Sequence, residues 1–270
     1  MAEQMRNPKM PTSKTTPHAR LGLLFYALVA WASFIFIVPK AGANAFADGS
    51  RMSVTDLDAL EATVREAEDI QDIERLTFIF GYYRDKFFDD EALSLFSDNA
   101  VVNYANGKYV GKGSIRRLFL GNRFKLPEAV GKQGPQRGLL NDHILMMPVI
   151  DIAPGGQFAK ARFKDWVFQG VSHKSQTMSS GLYEFEYAKQ DGVWRISMMA
   201  YCTRFSHPYE TNPRDIPLPE RERPEPAFFP TDSDGPDKQT DYACPPWPHP
   251  SIAPPFHYPH PVTGDYIRRP

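Results

Sequence analysis

Apolar positions recur along this chain in two rhythms, first at helical and then at strand spacing. From Thr55 the spacing is helical: Leu57, Leu60 and Val64 mark one face, and Thr55 with Asp58 three residues on has the form of a capping box. After the charges Glu66, Glu68, Asp69 and Asp72, a second run sets Ile70, Ile73, Leu76, Phe80 and Tyr83 at steps of three and four, which predicts a helix buried along one side and ending at Asp85. A short third helix over about 89–96 is expected to stop at Ser97-Asp98-Asn99, residues suited to a turn. Residues 100–104 and 108–110 flank Asn106-Gly107, a strong hairpin signal, and Gly111-Lys112-Gly113-Ser114 opens a helix to about Gly121. The polar, glycine- and proline-containing segment 122–138 predicts a loop that could act as a lid.

The second rhythm begins at His143. Residues 143–152 form one β-rich run, Pro154-Gly155-Gly156 turns the chain, and 157–170 follow with Phe158, Ala161 and Phe163 set among charges. In 180–189 the alternation is strict, with Leu182, Glu184 and Glu186 opposite Tyr183, Phe185 and Tyr187. Gln190-Asp191-Gly192 then turns into a last strand over 193–205. Helices followed by an antiparallel meander define an α+β class. Beyond Phe205 lie 17 of the 25 prolines, so this segment can enter neither a helix nor a sheet interior. Its scattered aromatics (Phe228, Phe229, Tyr242, Trp247, Phe256, Tyr258) predict an extended strap over the domain or over a neighbouring subunit.

The first 20 residues carry Arg6, Lys9, Lys14 and Arg20 against Glu3, and Leu21 to Val38 is free of charge. That pattern predicts an export signal or signal anchor over 1–47, with small-x-small sites ending at Ala45 and Ala47 that favour cleavage. A domain over 48–206 and an arm over 207–270 would then lie outside the cytoplasm, in a bacterium the periplasm, tethered to the membrane only if Leu21–Val38 is retained. Charge is balanced, 31 basic against 32 acidic residues, which argues against a nucleic-acid partner. Cys202 and Cys244 have no metal-ligand spacing and are too few for a disulfide scaffold, although export would permit them to join. No phosphate loop, CxxC pair or HExxH occurs, and the histidines of the tail lack ligand spacing, so the sequence calls for neither cofactor nor metal.

The titratable and hydroxyl groups set in apolar segments are Asp85, Tyr104, His143, Tyr183 and Arg204. On these residues the chain resembles the SnoaL-like branch of the nuclear transport factor 2-like superfamily. The resemblance runs from the helix ending in Asp85 through LFSDNAVVNY and GKGSIR to Asp142-His143, GLYEFEY and DGVWRI. It implies a cone in which a curved antiparallel sheet, wrapped by N-terminal helices, encloses an apolar cavity. Members include scytalone and bile-acid dehydratases, ketosteroid isomerases, polyketide cyclases and lyases that release formaldehyde from lignin-derived diaryl dimers. Carried over by position, Asp85, Tyr104 and His143 match the aspartate, strand tyrosine and histidine of the dehydratases. Arg84 stands in place of a second tyrosine, and Phe168 stands where a second histidine is expected.

The chemistry this implies is acid–base catalysis without a cofactor. His143 would abstract a proton with Asp85 fixing its tautomer, Tyr104 and Tyr183 would donate to an oxygen gaining charge, and Arg204 would hold an acidic group or oxyanion. Tyr83, Trp166, Phe168 and Tyr201 are expected to line the cavity around a hydrophobic hydroxylated aromatic substrate, and a homo-oligomer is expected for the fold. The alternatives are a non-catalytic small-molecule binder and a steroid or polyketide isomerase-cyclase. A plainer reading of the residues makes Asp85 a helix terminator, the tyrosines core residues, and Arg204, Lys164 and Asp165 solvated edges.

Overall fold

The computed structural model describes residues 53–122, 124–210, 227–242, 244 and 254–267. The proposed export segment, with Leu21–Val38 and the sites at Ala45 and Ala47, lies outside the described residues. Among the described residues no helix is long and apolar enough to cross a membrane.

The two helical runs form one helix, α1 (Val54–Asp85), which the intervening charges do not interrupt. Its first half is solvated: Leu57, Leu60 and Val64 stand about half exposed instead of marking a buried face. In the second half the inward stripe is Asp69, Ile73, Thr77, Phe80, Gly81, Arg84 and Asp85, so Ile70, Leu76 and Tyr83 of the expected face sit only at its margin. Polar groups on a core-facing stripe need partners. Asp69 accepts from Trp194 Nε1 at 2.8 Å and Lys189 Nζ at 2.5 Å, and the Thr77 hydroxyl meets that of Tyr187 at 2.6 Å.

Helix α2 (Asp89–Ser94) leads directly into strand β1 (Phe96–Tyr104). Ser97-Asp98-Asn99 therefore do not end the helix in a turn; they lie in the part of β1 where pairing slips between Phe96 and Val101. The hairpin to β2 (Gly107–Val110) turns on Ala105 and Asn106, both at positive φ, one position earlier than the Asn-Gly signal suggests. After α3 (Gly111–Leu120) and a 3-10 turn (Pro127–Ala129) come β3 (Leu139–Ile152), β4 (Phe158–Val171), β5 (Ser175–Gln190) and β6 (Val193–Pro208). Strands β3 to β6 form the expected antiparallel meander, β1 joins β6 in parallel, and a short edge strand β7 (Lys238–Gln239) completes the order β3-β4-β5-β6-β1-β2-β7.

One face of this sheet presents Phe163, Tyr183, Phe185, Tyr187, Ile196 and Met199 to the helices. Phe80 of α1 is the hub, with ring contacts of 5.8–6.4 Å to Phe96, Phe119, Tyr183 and Phe185. Two stretches of the C-terminal arm lie against the domain that carries them. Lys238–Gln239 form β7, an edge strand beside β2, and Asp237 accepts from the Val110 N–H at 2.7 Å and the Ser114 hydroxyl at 2.9 Å. Further on, Cys244 is disulfide-bonded to Cys202, and Arg162 donates to the carbonyls of Pro254 and Pro255 at 2.9 and 2.7 Å.

Candidate active site

The last turn of α1 approaches β3 because Gly81 leaves room for Leu145: a Cβ on that glycine would stand 2.4 Å from Leu145 Cδ1. The approach brings Asp85 to His143. Asp85 Oδ1 accepts the backbone N–H of His143 at 2.8 Å and lies 2.9 Å from its ring Nδ1, with both side chains nearly enclosed. A carboxylate on Nδ1–H leaves Nε2 with its lone pair. The pair is braced from behind, since Asn141 Nδ2 donates to the Arg84 carbonyl and Gln169 Nε2 donates to Asn141 Oδ1, each at 2.8 Å.

A second carboxylate lies within electrostatic reach of His143. Asp165, on β4, is fully buried; its Oδ1 accepts the Gly181 N–H at 2.6 Å and the Tyr201 hydroxyl at 3.3 Å, and its Oδ2 has no partner. Burial pushes this carboxyl up to about 6, against the opposing pull of His143 and of the Gly181 N–H. Glycine is needed at 181, because a Cβ there would come 2.5 Å from the Tyr201 ring. Asp165 is thus no solvated edge. In β4 the residues Ala159, Ala161, Phe163, Asp165 and Val167 alternate into the core, and a phase started from Ala161 and Phe163 would have reached Asp165 two residues later.

The same alternation corrects two of the cavity residues. Trp166 and Phe168 lie on the opposite phase of β4, and Trp166 stacks edge-on with Phe205 at 5.7 Å, so neither faces the dyad. Tyr83 sits beside Phe88 at 6.5 Å, towards α2. Arg204 occupies a bulge of β6, where register slips opposite Ser180 and Gly181, and is half-buried. The three strand tyrosines do come together. Tyr201 lies 4.6 Å from Tyr183 and stacks on Tyr104 at 6.1 Å, and Phe124 of the 122–138 loop meets Tyr104 edge-on at 4.8 Å. Burial first, and then Asp165, raise Tyr183 and Tyr201 well above the ordinary phenol range, so both stay protonated as donors.

The cation facing these phenols is Arg84, which sequence reasoning registered only as a departure from a pattern. It is 2% exposed, pairs through Nη1 with Asp89, and lies over the rings of Phe124 at 4.4 Å and Phe119 at 4.8 Å. A void of about 20 Å³, room for one water molecule, is lined by Asn103, Tyr104, Tyr201 and Thr203 and roofed by Thr240, Tyr242 and Cys244 of the arm. A broad open depression of about 790 Å³ lies elsewhere, at the end of the sheet along 138–140, 170–177 and 208–210.

Sequence comparison matches residues 65–200, about half of the chain, to the family described as SnoaL-like domain. No curated protein matches the sequence at a significant level. Among solved structures, a presumed scytalone dehydratase from Novosphingobium aromaticivorans is 20% identical, with 56% of this chain and 93% of that one covered at a TM-score of 0.46. The hexachlorocyclohexane dehydrochlorinase LinA-type3 from Novosphingobium barchaimii is 15% identical, covering 55% and 94% at a TM-score of 0.46. An NTF2-like protein with a cystatin-like fold, again from Novosphingobium aromaticivorans, is 18% identical over 57% and 92% at a TM-score of 0.41. Likenesses at this level carry no weight for the chemistry.

Proposed function

The chain belongs to the SnoaL-like domain family of the NTF2-like superfamily, and from that premise we propose that it is a cofactor-independent lyase using acid–base chemistry on a hydrophobic, hydroxylated aromatic substrate. The observation that carries this is the enclosed trio Asp85, His143 and Asp165. A histidine oriented by one carboxylate is a competent base, and a second carboxylate with a raised pKa is a competent acid at mildly acidic pH.

In a dehydration, His143 Nε2 takes a proton from the carbon next to the carbinol, and the C–H electron pair becomes the new double bond. The C–O bond breaks, and the departing oxygen takes the proton of Asp165 and leaves as water. Transfer of the proton from His143 to the Asp165 carboxylate restores the starting state. Where a hydroxymethyl group stands in place of that hydrogen, His143 takes its hydroxyl proton instead. The C–C pair then forms the double bond, and formaldehyde leaves together with water. Tyr201 and Tyr183 donate to oxygens that gain charge, and the aromatic wall accommodates rings of the substrate.

The disulfide Cys202–Cys244 favours action outside the cytoplasm, in keeping with the N-terminal export pattern. The test is to incubate the purified protein with a panel of diarylpropane, β-1-type and phenylcoumaran alcohols and to follow loss of water and release of formaldehyde. Turnover by the wild type that drops by at least about 100-fold in His143→Ala, the scale of one general base, is the expected result. Undiminished turnover in His143→Ala and Asp85→Asn would sink the proposal, and micromolar binding without turnover would instead identify a binding protein.

A further inference from the structure

The site has a second pole, and its charges do not cancel. Asp89, 1% exposed, is the partner of two cations: Arg84 Nη1 on Oδ1 and Lys125 Nζ on Oδ2. The side chains of Arg84 and Lys125 are 3% and 0% exposed, so this dry cluster holds two positive charges against one negative. Lys125 is further engaged by the carbonyl of Lys132 at 2.5 Å. Arg84 is not saturated, because its Nε is buried without a hydrogen-bond partner. A buried charge in surplus is costly unless something compensates it.

The shape of the arginine environment narrows what that something is. Two phenylalanine rings, themselves stacked 5.3 Å apart, lie to one side of the guanidinium and one nitrogen is taken by Asp89, while Nε is left without a hydrogen-bond partner. This arginine lies within electrostatic reach of Tyr183 and Tyr104, and Tyr183 also feels Asp165 and Asp85. Tyr183 is therefore within electrostatic reach of both the cationic pole and the acid–base pole. Burial pulls both Arg84 and Lys125 down from their ordinary values, and Asp89 pulls each of them back up. An arginine edge is the geometry that proteins use for planar carboxylates.

We infer that Arg84, backed by Lys125, is a binding site for a carboxylate on the ligand, so that the substrate is an aromatic acid held by its acid group at Arg84 with its reacting hydroxyl towards His143. The orientation rests on the lyase proposal, whereas the binding of a carboxylate does not. The arrangement has three consequences for recognition. Acids are preferred over their esters, a neutral phenol does not substitute for the acid, and Arg84 sets binding more than the chemical step.

The experiment is calorimetric titration of the full chain with 4-phenylcinnamate, its methyl ester and 4-phenylphenol at pH 7. The acid is expected to bind at least about 10-fold tighter than either neutral analogue, the scale of one charge-assisted hydrogen bond. In Arg84→Met, which leaves the Asp89–Lys125 pair in place, that preference is expected to vanish while ester affinity is kept; far-UV circular dichroism checks that the variant folds. Equal affinity of the wild type for acid and ester overturns the inference without use of any variant, and tight binding of the phenol overturns the choice of a carboxylate. If the acid is not preferred yet diaryl alcohols turn over in a His143-dependent manner, this inference falls and the lyase proposal stands. If the acid is preferred and nothing turns over, the reverse holds.

Discussion

Asp165 decides how the site responds to pH. It is a fully buried acid whose folded-state pKa is raised by burial to about 6, above the unfolded value near 3.8. Between those values the folded protein keeps a proton that the unfolded chain has lost. The stability linked to this group is therefore fully present below about pH 4 and is lost as the pH rises to about 6. A shift of about two units corresponds to about 3 kcal/mol. Asp165→Asn removes the titration and gives the unpartnered Oδ2 position to an amide. Urea unfolding at pH 4 to 8 is expected to show the wild type losing stability across that window relative to the variant, which stays flatter and ends up the more stable at pH 8. The same residue shows where sequence reasoning stops. A lone aspartate between Lys164 and Trp166 resembles a surface residue until the alternation of its strand is phased from Ala161 and Phe163.

At the scale of elements, legibility followed periodicity. The meander β3–β6 and the β1–β2 hairpin were readable because alternation and turn residues are local signals. Helix α1 was readable in its existence but not in its facing, because its inward stripe includes Asp69, Thr77, Arg84 and Asp85, polar residues whose partners lie more than 50 positions away or beyond the helix end. No spacing rule exposes such partners. Hence Asp85–His143 came from resemblance, whereas Arg84 and Asp165 needed the fold. The arm is the other element with a consequence. It crosses the void beside Tyr104 and Tyr201 and is pinned there by a disulfide between cysteines 42 positions apart. Cys244→Ser is expected to lower stability by about 4 kcal/mol, the loop-closure value for such a separation. By freeing the roof of the void it should also raise the association rate of aromatic ligands, measured by stopped-flow tyrosine quenching. An unchanged rate would mean that ligands enter elsewhere.

Over the whole molecule, helix α1 and the sheet enclose two poles, a cationic one at Arg84, Lys125 and Asp89 and an acid–base one at Asp85, His143 and Asp165, with the tyrosines among them. The α+β class was legible because order alone fixes it, helices first and strands after, and membership of the SnoaL-like family agrees with it. In the proposed reaction the acid–base pole does the chemistry, and it depends on the proton that Asp165 carries. The most direct measurement is the pH dependence of kcat/KM for wild type and Asp165→Asn on an alcohol that turns over. The account predicts that the wild-type value falls on the alkaline side from about pH 6 as Asp165 loses its proton. For the variant it predicts a far lower rate without that alkaline fall, because the acid whose ionisation causes it is gone. Profiles of the same shape and height in both proteins would contradict it.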